Sequence, residues 1–320
     1  MSRSSGCRSP STKKGIVHRS LLVKLQPRME IEGELDDAVQ LGCKVPQSVL
    51  DRWHVIEDRD KNESSLSPLS DEDGLFVKRT LDFAAKEAQI CQQTQPPESQ
   101  WISKVAMPML NLFEHTALGS ASLEERGKST SSDSVAAFDI RTTEISSDYV
   151  PTSTYPTLRD LDRKIDVALG LRLSRRTLRR LQDEHTSINQ TASFVNFTPL
   201  FLNIEVKRNY GAQDPLIQLG VWTAAEFEKR WAEKWDMGMP ALAVEIDGPL
   251  WNLYVVAAKE KESDTVLDFE LSIVGPVELG SSRDRRSLQN LFDNLCVVVQ
   301  WARTEYLGWF ERCVVEHRVY

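Results

Sequence analysis

The stretch Leu200-Phe201-Leu202-Asn203-Ile204-Glu205-Val206-Lys207 alternates along its whole length. Leu200, Leu202, Ile204 and Val206 fall on one side and Phe201, Asn203, Glu205 and Lys207 on the other, which is the period of a β-strand. Downstream, Asp214 is a helix N-cap and Pro215 sits at the first helical position, where its missing N–H costs nothing, so a helix is predicted to about Trp235. Strands are predicted at Ala241–Ile246 and Trp251–Ala258, joined through Asp247-Gly248-Pro249 as a hairpin, and at about Val266–Val274. An apolar, Trp-rich run from Arg285 to about His317 reads as a closing helix.

Upstream, Lys164–Leu173 (KIDVALGLRL) has strand content. The 39 positions from Asp166 to Glu205 are long for neighbouring strands and must hold an insertion, read as a short helix over SRRTLRRLQDEH capped by Ser174. Helices are expected at Val45–Glu57, Leu75–Gln92 and Glu98–His115, with Pro96-Pro97 between the last two. This order divides the chain into a basic, disordered tail over 1–35, a helix and polar linker over 36–74, and a domain over 75–320 with a mobile loop at about 119–150. The class is α/β (α+β): a central mixed sheet flanked by helices, with extra helices at the N-terminal side. A helical scaffold without a sheet is the competing reading.

Composition narrows the function. The net charge of −8 argues against a globally basic nucleic-acid binder and leaves room for a local basic groove. The first 29 residues hold seven Lys or Arg and no acid, so the acidity lies in the rest of the chain. That basic, Ser-rich start reads as a solvated tail or as a mitochondrial presequence. Five scattered cysteines without CxxC spacing point to a reduced, intracellular protein of nucleus or cytoplasm. No apolar run is long enough to span a bilayer, and neither a membrane partner nor a small-molecule cofactor is indicated. The histidines are scattered, and core packing accounts for the tryptophans better than base stacking does.

The chemistry concentrates in two strands. Glu205 and Lys207 are neighbours on one face because strand positions i and i+2 point the same way. Asp166 lies within the apolar run Ile165-Asp166-Val167. Two carboxylates suffice for Mg²⁺, which takes one or two from protein and keeps its waters, and a nearby Lys can orient or deprotonate an attacking water. An acid-x-Lys triplet by itself discriminates nothing, since Asp162-Arg163-Lys164 is a second example. Only the Glu205 example sits in an alternating strand followed by an amphipathic helix. The alternative is an exposed Glu–Lys pair of little consequence.

Ile165-Asp166, Ile204-Glu205-Val206-Lys207 and Gln218-Leu219-Gly220-Val221-Trp222 together resemble the PD-(D/E)XK nuclease superfamily, in the form of the nuclease-like domain found in many fungal proteins. The resemblance covers about residues 75–318 and implies a restriction-endonuclease-like core. It implies a Mg²⁺- (or Mn²⁺-) dependent phosphodiester hydrolase acting on DNA or RNA. Asp166 and Glu205 would be metal ligands, Lys207 the catalytic lysine, and Gln218 a positioning group where relatives carry QxxxY, with Trp222 in place of the Tyr. Glu98 would match an additional acid. Ile precedes Asp166 where the motif has Pro. The same resemblance admits an inactive nuclease-fold module that binds nucleic acid or protein. Arg175, Arg176 and Arg179 on the inserted helix read either as phosphate contacts beside the site or as a solvated helix face pairing with Asp183 and Glu184.

Overall fold

A computed structural model describes residues 19–33, 45–57, 69–116, 118, 134–153, 164–183, 187–207, 214–261 and 268–316. In chain order the strands and α-helices are β1 (Leu25–Gln26), β2 (Met29–Glu32), α1 (Gln47–Glu57), α2 (Asp71–Thr94), α3 (Glu98–Trp101, extended through a π-helical Ile102–Ala106 and Met107–His115), β3 (Ser134–Asp139), β4 (Thr152–Ser153), β5 (Val167–Arg172), α4 (Arg175–Asp183), β6 (Leu200–Lys207), α5 (Pro215–Ala232), β7 (Ala241–Asp247), β8 (Leu250–Lys261), β9 (Asp268–Ser281) and α6 (Arg285–Trp301). Further helical segments carry α6 on to Glu316.

Seven strands form one sheet in the order β2-β9-β8-β7-β6-β5-β3. The β6–β7 and β2–β9 pairs are parallel and the rest antiparallel, so the sheet is mixed, as the element order predicts. The β6–β7 pair is parallel because α5 carries the chain back across the sheet between them. Asp214 caps α5 by accepting from Leu216 N at 3.0 Å. The β7–β8 hairpin turns on Gly248-Pro249, with Asp247 opposite Leu250. Gly248 has φ 55°, the left-handed region that a two-residue hairpin demands of its first turn residue.

Each face of the sheet is covered. On one side Leu202, Ile204, Val206, Val244 and Leu253 pack against α1, α2, α3 and α6. On the other, Ala243, Tyr254, Val256 and Ile273 pack against α5, through Leu219, Trp222 and Phe227. The alternation expected for β6 holds from Leu202 onward. At its start Leu200 and Phe201 exchange sides, next to a register shift between Leu169 and Gly170 of β5.

Three boundaries differ from expectation. Residues 19–33, expected in the tail, form a 3₁₀ turn over Arg19–Lys24 followed by β1 and β2, and β2 joins the sheet beside β9. Leu22, Leu25 and Met29 are buried there, and this apolar anchoring outweighs the basic composition. The loop expected at 119–150 contains β3, which closes the far edge of the sheet on β5. α1 contributes Val49, Trp53 and Ile56 to the same core as α6 instead of standing apart with a linker. The tail before residue 19, most of the polar stretch 58–74 and residues 119–133 lie outside the described residues.

A candidate metal-dependent hydrolytic site

The strand directions bring the expected residues to one end of the sheet. β6 runs toward Lys207, and β5, antiparallel to it, starts beside that end with Val167 opposite Ile204. Asp166 immediately precedes β5, its N–H donating to Ile204 O at 3.2 Å. Its Oδ2 accepts from Val206 N at 2.8 Å, so the carboxylate is held between Glu205 and Lys207 along the chain. Lys207 Nζ lies 2.5 Å from Glu205 Oε1 and 3.7 Å from Glu98 Oε2. Glu98 opens α3, right after Pro96-Pro97, and reaches the sheet end from the opposite layer.

The electrostatics are those of an acid cluster out of water. Burial, then the Asp166 charge, pushes the Glu205 carboxyl up to about 8, while Lys207 pulls it back. Burial also raises Asp166, to about 6, against the hydrogen bond from Val206 and the charge of Lys207. Burial works against the charge of Lys207, but Glu205, Glu98 and Asp166 outweigh it and hold the ammonium form above its ordinary range. Without a cation, burial thus favours the protonated form of both carboxyls.

Glu205 Oε2 and Gln218 Oε1 are buried without a hydrogen-bond partner among the described residues. The unpartnered Glu205 oxygen, in an acid cluster with only Lys207 as its cation, suits a divalent cation with oxygen preference. The donor set is small: no cluster of three His, Cys, Asp or Glu positioned to hold a metal occurs among the described residues. Asp166 and Glu205 would supply the one or two carboxylates that Mg²⁺ takes from protein and fall short of the four ligands of a structural zinc site.

Gln218 lies one turn into α5, its Nε2 3.4 Å from Lys164 O, two residues before Asp166. Trp222, on the next turn, donates from Nε1 to Asn203 Oδ1 at 3.0 Å, and Asn203 Nδ2 meets Glu226 Oε2 at 3.3 Å. Glu226 in turn pairs with Arg230, also buried. This polar seam joins α5 to β6 two residues from Glu205. It, and Glu245, went unread in the sequence. Glu245 is the β7 partner of Glu205 in register, buried, and accepts from Tyr254 Oη at 2.8 Å. Its signal was present: Glu245 interrupts the apolar run ALAVEID as Glu205 interrupts LFLNIEVK.

The arginine helix lies elsewhere. α4 follows the far end of β5, six residues and about 20 Å of strand from Asp166. Arg175, Arg176 and Arg179 are exposed there, so they do not stand beside the acid cluster. Arg180 donates to Val315 O at 2.7 Å, and Ser174 caps the helix as expected.

The model of the PD-(D/E)XK nuclease superfamily matches residues 50–307. The chain belongs to that superfamily. Proteins with curated annotation give no match. The mixed sheet between helical layers is the core expected of that superfamily.

Proposed function

We propose that this PD-(D/E)XK protein is a divalent-metal-dependent phosphodiester hydrolase acting on DNA or RNA, with Asp166 and Glu205 as metal ligands. The observation that carries this reading is Glu205 itself: buried, paired through one oxygen with Lys207, and with its other oxygen unpartnered among the described residues. When bound there, Mg²⁺ or Mn²⁺ would neutralise developing phosphate charge and acidify a water. The chain's own residues supply the rest. Val206 N–H fixes Asp166 in one orientation. Lys207 presents an ammonium group beside Glu205, placed to orient an attacking water and offset charge in the transition state. Gln218 Oε1 is available to a water or substrate hydroxyl at the opening of α5. Glu98 would hold Lys207 from the other layer.

The test is cleavage of single- and double-stranded DNA and RNA with Mg²⁺, Mn²⁺ or EDTA. Metal-dependent cleavage is expected, falling at least about a hundredfold in Lys207→Ala, the usual size of a lost general acid or base. Equal background activity from the parent and Lys207→Ala with every metal would sink the assignment and leave the module that binds without cutting. The scattered cysteines, without CxxC spacing, suit an intracellular setting in nucleus or cytoplasm.

A further inference from the structure

The acid cluster occupies the end of the sheet, so the surface that a polynucleotide would follow is set by whatever else reaches that end. Register identifies it. Lys207 pairs with Asp247, Asp247 with Leu250, and Leu250 with Ser281. The turn after Ser281, Ser282-Arg283-Asp284-Arg285-Arg286, therefore emerges at the same end of the sheet as Lys207. It stands three strands away, or about 14 Å at the usual strand spacing. The turn is held in place: Ser282 N–H donates to Pro249 O at 2.8 Å and Arg283 N–H to Ser281 Oγ at 3.2 Å.

A helix spans the gap. Asp82 in the middle of α2 pairs with Arg285 at 2.8 Å, and the chain leaving α2 reaches Glu98, which contacts Lys207. The segment from 82 to 98 thus bridges the arginine turn and the acid cluster. Asp82, Lys86, Gln89 and Gln93 recur at i, i+4, i+7 and i+11, one stripe of that helix, and all four are exposed. Two of the nearby acids are engaged, whereas Asp247, half-buried at the end of β7 between the turn and Lys207, has no partner among the described residues. Asp82 is taken by Arg285, while Asp284 accepts from Arg286 N, Ser287 N and Ser287 Oγ as the cap of α6. Arg283, Arg286 and Lys86 are left as exposed cations, with no acid paired to either Arg283 or Lys86 among the described residues.

We infer that Arg283, Arg286 and Lys86 form a phosphate-binding track for a polynucleotide backbone that leads to the Asp166–Glu205–Lys207 cluster. This rests on the hydrolase reading above and names its substrate-binding surface. Cations on a surface are by default solvated; here their exposure, the engagement of Asp82 and Asp284 beside them and their shared sheet end with the cluster combine to favour phosphate. The separation of about 14 Å is long enough for the track to contact phosphates more than one nucleotide away from the cluster.

The experiment measures binding and cleavage separately. Fluorescence anisotropy in EDTA, across a salt series, follows a short labelled DNA duplex and RNA of matching sequence with the full chain. Arg283→Ala/Arg286→Ala should make the slope of log K against log salt shallower by about 2, one per lost phosphate contact. Arg175→Ala/Arg176→Ala/Arg179→Ala, at the far end of β5, should leave the slope as it is. In cleavage, neutral methylphosphonates placed one at a time along the strand should raise KM on the parent chain at one or more positions, and at none of those positions on the double variant. The DNA and RNA arms tell which backbone the track prefers. Melting curves confirm that both variants are folded. Equal slopes for the parent and the Arg283/Arg286 variant, or an equal loss from the Arg175 set, overturn the track while leaving metal-dependent cleavage standing. A parent chain that neither binds nor cuts overturns the hydrolase reading and the track with it.

Discussion

Glu205 shows how much one residue costs and what it secures. A carboxyl raised to about 8 in the fold and ionising near 4.5 when unfolded binds its proton more tightly in the native state. That contribution to stability is fully present below about pH 4.5 and is lost as pH rises through 8. Asp166, raised to about 6, adds the same sign over about 4 to 6. Metal-free protein should therefore lose stability from pH 5 to 8, by at most about 1.4 kcal/mol per pH unit for each proton released. Thermal melts in EDTA across that range check this, and Glu205→Gln should flatten the profile. Added Mg²⁺ should raise the melting temperature more at pH 8 than at pH 5. Trp222 gives a second residue-level test. Trp222→Phe keeps most of the buried ring but strips Asn203 Oδ1 of its Nε1 donor, at a cost of about 1–3 kcal/mol in urea unfolding.

At the scale of elements, two glycines separate rigid from yielding contacts. A Cβ on Gly170 would stand 2.9 Å from Pro199 O, a backbone atom at the β5–β6 bulge that cannot swing aside. A Cβ on Gly220 of α5 would stand 2.9 Å from Leu22 Cδ2, the free end of a flexible side chain. Gly170→Ala should destabilise by about 1–3 kcal/mol. Gly220→Ala should be near neutral, because the helix gains about 1 kcal/mol from Ala and Leu22 can rotate. Denaturant midpoints of the two variants test the contrast. The same elements show what was legible in the chain. Leu200–Lys207, the Asp214-Pro215 start and the Asp247-Gly248 turn announce themselves because periodicity, capping and turn chemistry are local. β3 does not: Ser134–Asp139 is short, Ala-containing and strand-like only once it pairs with β5. The place of Arg175, Arg176 and Arg179 was illegible too, because the end of the sheet a helix occupies depends on strand direction. The contact of Glu98 with Lys207 joins residues 109 positions apart, and its trace in the sequence was family resemblance.

For the whole molecule, an acidic chain carries its exposed Arg283, Arg286 and Lys86 at one end of the sheet and its exposed Arg175–Arg179 helix toward the other. Net charge says little about such a protein, whereas topology says which cations can share a ligand with the acid cluster. The sheet itself has two edges. β3 forms one. On the other, the fourteen-residue β9 would offer its unpaired N–H and C=O groups to any passing strand. Met29–Glu32 occupies Leu271–Val274 of that edge, and Pro276, which has no N–H, with exposed Glu278 blunts the part beyond. The short segment at 29–32 is thus a guard against self-association as well as a member of the sheet. A chain shortened to residue 45 would keep every residue of the acid cluster and gain a sticky border, so that its first failing would be clumping and not loss of chemistry.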